Sequence, residues 1–402
     1  MNFKKFLPII FVTFSALTFG QQTVEKFKLY GFIRNDFYYN SRQNVESIDG
    51  LYHLFPKPEE LVSGIDKNGT PQAEMLSIAT RLGLDINGSA IFGAKSSGKI
   101  EADFAGFSSN FYVLRIRHAY LKLNWAKTEL LLGQTWHPLF GNVMPTVPSL
   151  NAGAPFQPFN RSPQFRFKYN LNPTLSFTAV AAYQMQYTSP GPLGSSSVYL
   201  KNAMLPDLFL GAECKTDHWI SGAGLDVKTI QPVTEQLTSM AAVIYSQYVT
   251  PKFQVKGKFI LGQNMSDYVM PYGYGVSDTT SIGSPKSFSN INMMSSWFNV
   301  VYGTTFQAGI YIGYSQNLGS SENLIKRNGK ITAYGSGVCD QIMLNHLYRI
   351  QPFVSYNLPN LKLSLELDLT SASYGKLESN ARGSNPLSVY NKRLGASVSY
   401  FF

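Results

Sequence analysis

The chain has 402 residues and a formal net charge of +10, with 14% charged and 14% aromatic residues. A charged fraction well below the usual ~25% argues against an ordinary soluble surface, and a mean hydropathy of −0.09 excludes a helical membrane protein, which needs apolar runs of about 20 residues. The basic residues stand singly among apolar ones, so the positive balance does not point to nucleic acid.

The N-terminus reads as a secretory leader. Lys4 and Lys5 precede an apolar stretch over 7–17 that is too short to span a bilayer. Thr18 and Gly20 then place small residues before a cut at Gln21. The expected domains are a signal peptide over 1–20 and a single β-barrel over 21–402. Losing Lys4 and Lys5 leaves a charge of 10 − 2 = +8. Residues 21–24 leave no room for a plug, which counts against an energy-coupled transporter.

Past residue 24 the pattern is alternation with period two. Phe27, Leu29, Ile33, Phe37 and Tyr39 fall on one face, Lys28, Arg34 and Asp36 on the other. Leu76, Ile78, Leu82, Leu84 and Ile86 alternate likewise with Ser77, Arg81, Asp85 and Asn87. Strands are expected near 25–40, 74–88, 90–107, 112–126, 128–137, 160–170, 174–188, 205–216, 218–230, 238–250, 251–264, 294–303, 304–317, 342–357, 360–372 and 387–402. In the fifteenth, Leu361, Leu363, Leu365, Leu367 and Leu369 alternate with polar residues, a spacing no helical stripe produces. About sixteen is an even number, as bacterial transmembrane barrels require.

The connections segregate by length. Tight turns are expected at 87–89, 126–127, 170–173, 216–217, 250–251, 303–304 and 357–360. Long links cover 41–73, 138–159, 189–204, 265–293, 318–341 and 373–386, with shorter ones at 108–111 and 231–237. This predicts an all-β, transmembrane antiparallel β-barrel with short periplasmic turns and long extracellular loops. Lipid cannot hydrogen-bond a backbone, so the sheet must close. Tyr183, Tyr187, Tyr348, Tyr356 and Tyr400 are expected at the two membrane interfaces. Cys214 falls near a periplasmic turn and Cys339 in an outer loop, so no disulfide is expected. Leu394, Ala396, Val398, Tyr400 and Phe402 lie on one face of the last strand, a pattern similar to the signal read by the barrel-assembly machinery.

The link after the fifth strand, 137–160, is rich in Pro and small residues and poor in charge. Its order and length predict that it folds into the lumen. Arg34, Arg81, Arg166, Arg349 and Arg393 lie on polar strand faces near mid-height, and strand eleven adds Lys252, Lys256 and Lys258. Closure should bring Arg34, Arg81 and Arg393 together. Asp36, Asp85, Glu101, Asp103, Glu366 and Asp368 also face inward. Fixed cations favour anions, and the guanidinium fork matches a carboxylate; alternatively, these charges pair and only keep the lumen wet. Arg115 and Arg117 share parity with Leu121, Leu123 and Trp125. Either a bulge near Ala119 shifts the phase, or this strand borders another subunit. The expected pore-lining set is Arg34, Arg81, Glu101, Asp103, Arg115, Arg117, Arg166, Lys256, Lys258, Arg349 and Arg393. None of the five histidines (53, 118, 137, 218 and 346) forms a metal pair at strand or helix spacing. No catalytic constellation stands out, so neither enzyme activity nor a cofactor is expected.

Several segments resemble DcaP-like trimeric porins. Residues 28–40 (KLYGFIRNDFYYN) are similar to the opening strand of that family, and residues 80–84 (TRLGL) and 100–106 (IEADFAG) follow in order. The best matches are 114–120 (LRIRHAY) and 132–136 (LGQTW). The resemblance spans about residues 27–140. It implies a trimer of sixteen-stranded barrels passing small anionic solutes such as dicarboxylates, with Arg81, Glu101, Asp103, Arg115 and Arg117 in the lumen. One departure is that no N-terminal coiled-coil segment fits here.

The leading expectation is a porin of the cell outer membrane: a water-filled, mildly anion-selective channel for passive diffusion of small solutes, carboxylates among them. Its expected partners are outer-membrane lipid, small anionic solutes, the assembly machinery at the strand ending in Phe402, and two further copies in a homotrimer. Nucleic acid is not among them. The alternatives are a receptor or adhesin acting through its long loops, and an outer-membrane hydrolase. A barrel of about sixteen strands is too wide for side chains alone to fill, which favours the channel.

Overall fold

The computed structural model describes residues 26–48, 50–106, 110, 112–184, 186–280 and 283–402. The leader expected over 1–20, and all of the 108–111 link except Asn110, lie outside the described residues.

Sixteen long strands form one antiparallel sheet. They are β1 Phe27–Asn40, β2 Arg81–Ile91, β3 Ala94–Asp103, β4 Arg115–Asn124, β5 Thr128–Trp136, β6 Arg161–Asn170, β7 Leu175–Ala182 and β8 Asp207–Lys215. There follow β9 Trp219–Ile230, β10 Leu237–Val249, β11 Phe253–Gln263, β12 Pro285–Gly303, β13 Phe306–Ser320, β14 Ile342–Asn357, β15 Leu361–Leu377 and β16 Gly383–Phe401. Each pairs with its chain neighbour, and β1 closes the ring. It bonds β2 on one edge (Phe27 opposite Ile86) and β16 on the other (Ile33 opposite Tyr400). Four short strands join the same sheet, Gln72–Leu76 as a broken upper extension of β2 along β1. No described helix is long and apolar enough to cross a membrane; the chain crosses on strands.

The burial pattern is inverted relative to a soluble sandwich. Along β15, Leu365 is 54% exposed and the adjacent Glu366 only 3%. β1 does the same, with Leu29, Ile33 and Phe37 exposed and Arg34, Asp36 and Asn40 buried. An apolar outer wall is stable because lipid takes the place of water there, whereas the polar inner face needs partners.

Six of the seven tight turns fall where the sequence places them. The exception is β2–β3. The Asn87-Gly88-Ser89 stretch is a bulge, with a register shift between Asn87 and Ala90. The turn itself is Phe92-Gly93, both at positive φ (49° and 73°), the geometry that suits a two-residue hairpin. β12 begins nine residues earlier than expected, at Pro285. β15 and β16 stay paired up to Leu377 opposite Gly383, so the expected 373–386 loop shrinks to a short turn. Tyr183, Tyr348, Tyr356 and Tyr400 are exposed on the wall. Tyr187 is not at an interface: it lies beyond the end of β7 and its ring sits 6.3 Å from Phe159, inside the barrel. Cys214 and Cys339 are free and exposed.

The largest apolar cluster lies inside the barrel, and loops supply much of it. Leu54 and Phe55 come from loop 1 (41–80), Phe140, Phe156 and Phe159 from loop 3 (137–160), and Tyr268 and Tyr272 from loop 6 (264–284). They pack with wall aromatics such as Trp297 and Tyr311. Apolar loop side chains leave water most readily by covering one another within the wall.

Candidate functional site

β2, β3 and β4 place charged residues on neighbouring rungs: Arg81 is opposite Asp103, Asp103 opposite Arg115, and Glu101 opposite His118. Arg115 donates from Nε and Nη2 to Asp103 (2.9 and 2.7 Å). Arg117 donates to Glu101 (2.7 Å) and to Asp103 (2.8 Å). Tyr30 OH donates to Glu101 at 2.9 Å. Arg81 Nε stands 3.6 Å from Glu101 without a hydrogen bond. A register shift between Glu101 and Ala102 bulges β4 at Arg117–His118, so both of these side chains are buried on the lumen side. This answers the parity conflict with a bulge, one turn of the pleat before Ala119.

Loop 3 crosses the lumen and is tied to the far wall. Thr146 N–H donates to Asn299 Oδ1 (2.8 Å), Ser149 N–H to Glu366 (3.0 Å), and Tyr311 OH donates to the Gly153 carbonyl (3.0 Å). The expected lysines serve as tethers: Lys256 donates to Thr146 Oγ1 (2.9 Å), and Lys258 to Gln157 (3.1 Å) and to the Phe140 carbonyl. Arg34 pairs with Asp36 at 2.6 Å and reaches the Pro148 carbonyl at 2.8 Å. Arg349 binds Asp368 (3.0 Å), Thr370 (2.9 Å), the Ala154 carbonyl (3.0 Å) and the Leu54 carbonyl (2.7 Å).

The expected cluster of Arg34, Arg81 and Arg393 does not form as a trio. Arg34 and Arg81 line one cavity of about 260 Å³ beneath loop 3. Arg393 lies opposite Asn40 in the register, whereas Arg34 lies opposite Ser399, which separates them along the barrel axis. It stacks on Tyr38 at 3.7 Å and donates to the Gly50 carbonyl of loop 1. Arg166 faces a second cavity of about 190 Å³ with Asn142, Glu213 and Tyr245.

Sequence reasoning missed Arg161. It shares parity with the exposed Phe165 and Phe167, so alternation assigns it to the outer wall. Instead the chain leaving loop 3 turns it inward, fully buried, 3.9 Å over the Trp136 ring. Trp136 in turn stacks on Phe140 at 4.0 Å. Arg161 Nη1 donates to Gln186 (3.0 Å), while Nε and Nη2 find no partner among the described residues. Counting Arg81, Arg115, Arg117 and Arg161 against Glu101 and Asp103, the wall carries 4 − 2 = +2. The Arg34–Asp36 pair adds nothing to that sum.

Two further clusters hold the loops. At the root of loop 3, His137 lies 3.8 Å from Asp207 and 3.9 Å from Asp226. Tyr268 OH lies 3.2 Å from both carboxylates, and Lys228 pairs with Asp267 at 2.5 Å. In loop 1, His53 Nε2 sits 2.7 Å from Asp368. Burial, with Arg393 and Arg349 nearby, outweighs that carboxylate and holds His53 at about 3, below its ordinary 6.5. A depressed pKa means that docking is strongest above pH 6.5 and weakens as pH falls towards 3. Acidification from pH 7 to pH 5 is therefore expected to cost loop 1 docking about 2 kcal/mol. Hydrogen exchange over 50–57 reads this. Equal protection at both pH values in the wild type would refute it, and His53→Gln should abolish the dependence.

No group of three or more His, Cys, Asp or Glu among the described residues is placed to hold a metal ion. A closed sixteen-strand wall, apolar outside and charged inside, with an inward third loop defines an outer-membrane porin-like barrel. Solved structures share that fold. The outer-membrane channel DcaP of Acinetobacter baumannii matches with a TM-score of 0.69 at 19% identity, over 94% of this chain and 97% of that one. OmpT of Vibrio cholerae matches at 0.54 and 10% identity over 94% and 97%, and OprB of Pseudomonas putida at 0.52 and 10% over 94% of each chain. No family model and no curated protein matches the chain.

Proposed function

We propose that this chain is an outer-membrane porin passing small solutes by passive diffusion, with a preference for anions. The observation that supports this most directly is the surplus positive charge of the β2–β4 wall and Arg161, facing a loop 3 that contains no Lys, Arg, Asp or Glu. Fixed charge of one sign at a constriction sets ion preference. The short segments similar to DcaP-like porins, and the likeness in fold to DcaP itself, support membership of that group and a homotrimer. On this reading residues 1–20 are removed on export, and the strand ending in Phe402 is read by the assembly machinery.

The test is single-channel recording in a planar bilayer under a salt gradient. The expected reversal potential favours chloride over potassium. Arg81→Gln with Arg161→Gln, which removes both surplus charges, is expected to bring the permeability ratio near unity. Folded protein that conducts without ion preference would sink the anion reading. Folded protein without any conductance would favour a loop-based receptor, a reading supported by the packing of loops 1, 3 and 6 inside the barrel.

A further inference from the structure

The two ends of the barrel carry very different charge. The end with the tight turns faces the periplasm in barrels of this kind. Its residues 26–28, 85–99, 122–129, 168–176, 213–220, 247–254, 301–307 and 355–362 hold ten lysines, no arginine and four acids, a net 10 − 4 = +6. At the long-loop end, the described residues of 41–76, 186–206, 231–236, 268–290, 318–341 and 376–392 hold eleven basic and ten acidic side chains, a net 11 − 10 = +1. All ten lysines of the turn end are at least partly exposed. Several line the inside of the mouth. Lys28 lies opposite Asp85 and Asp85 opposite Lys99; Lys99 Nζ stands 2.9 Å from both Asp85 and Tyr30 OH. Lys122 pairs with Glu129 (3.4 Å) and Lys168 with Glu213 (3.9 Å). Lys215 and Lys362 share the inward faces of Glu213 and Glu366. These pairs occupy three lysines, and the other seven make no ion pair among the described residues.

We propose that the periplasmic mouth is a binding site for polyvalent phosphate anions, with linear polyphosphates as the best-fitting class. The inward facing of Lys28, Lys99, Lys122, Lys168, Lys215 and Lys362 suits a ligand thin enough to enter the lumen, and not a flat partner surface laid across the turns. The residue type selects the chemistry. A guanidinium fork matches a planar carboxylate, whereas the ammonium of lysine is a compact point charge that serves phosphate oxygens from any direction. The mouth is built from lysine alone. Its ammonium groups are spread over β1, β3, β4, β6, β8 and β15, so a single phosphate meets one or two of them. A chain of phosphates meets several at once, and each contact after the first forms within one complex. Low-dielectric walls around the mouth concentrate the field on its axis. None of this depends on the ion preference of the constriction above.

The experiment titrates tripolyphosphate into the full-length barrel in a non-ionic detergent at low salt and reads binding by calorimetry. Saturable binding is expected, tighter than that of orthophosphate or citrate. It should weaken as salt rises, since exposed charges are screened beyond about 10 Å at 0.1 M. Lys28→Gln, Lys215→Gln and Lys362→Gln together should weaken it roughly tenfold, the factor that three exposed ion contacts supply. Lys201→Gln, Lys326→Gln and Lys376→Gln remove the same charge from the long-loop end and should leave it unchanged. None of these six side chains is buried, so both triple variants should fold. Equal weakening by the two triples, no saturable binding, or citrate matching tripolyphosphate would overturn the proposal. Calorimetry needs no current, so a barrel that conducts without ion preference, or not at all, sinks the reading above and leaves this one to be judged on its own result.

Discussion

Replacing Arg349 with methionine is expected to release loops 1 and 3 from the wall and raise single-channel conductance. Arg349 is wholly buried and joins three parts of the molecule: Asp368 and Thr370 on β15, the Leu54 carbonyl of loop 1 and the Ala154 carbonyl of loop 3. Methionine fills similar volume but leaves Asp368 as a buried carboxylate with only the neutral His53 and the Thr370 hydroxyl as partners. Breaking one half of a buried pair costs about 3–5 kcal/mol. The sixteen-strand ladder does not pass through this side chain, so the cost falls on loop docking and the barrel itself should persist. Faster hydrogen exchange over 50–57 and 150–156, together with larger and noisier currents, would bear this out. Unchanged conductance with unchanged loop protection would show that the loops are held elsewhere. Arg349→Met with Asp368→Leu is expected to recover part of the loss, because the orphaned charge goes with its partner.

The second large effect is expected at Phe156. Its side chain is wholly buried at the far end of loop 3. It covers Gly313 on β13, where an added Cβ would lie 2.6 Å from the ring, and meets Tyr311 at 6.2 Å and Arg349 at 5.4 Å. Its carbonyl accepts from Ser295 at 2.9 Å. Phe156→Ala removes a ring that surrounding side chains cannot refill, which costs about 3–5 kcal/mol. The contact lies within the loop-to-wall interface, so loop 3 should swing free of β13 while the strands stay paired. Gly313→Val approaches the same contact from the wall by pushing the ring away, at about 1–3 kcal/mol. Both variants should raise conductance, Phe156→Ala by more. A conductance unchanged in both would mean that loop 3 does not limit the current.

These effects concern loops, and the loops are where the sequence is least legible. Alternation alone fixes the strands and their facing, because a period of two assigns each side chain to lipid or lumen wherever the sheet is regular. The leucines of β15 and the Arg34–Asp36 face of β1 are direct instances. Turn chemistry also places the short ends, until a bulge such as Asn87–Ala90 carries turn-like residues within a strand.

Parity fails where regular pleating fails. The bulge at Arg117–His118 puts two consecutive side chains inward, and Arg161 leaves its expected face at the point where loop 3 becomes β6. A one-residue irregularity reverses facing, and it is set by cross-strand contacts that carry no local sequence mark. Loop 3's inward fold is foreshadowed by its length and lack of charge. Its tethers to Asn299, Glu366, Tyr311 and Arg349 are not, because those residues lie more than 130 positions away in the chain. The sequence by itself therefore determined a closed barrel with a polar, arginine-bearing lumen. Only the tertiary structure decided which arginines are neutralised by neighbours and which are pinned under loops. Charge pairing depends on height and register around a closed ring, and neither is written in any one strand.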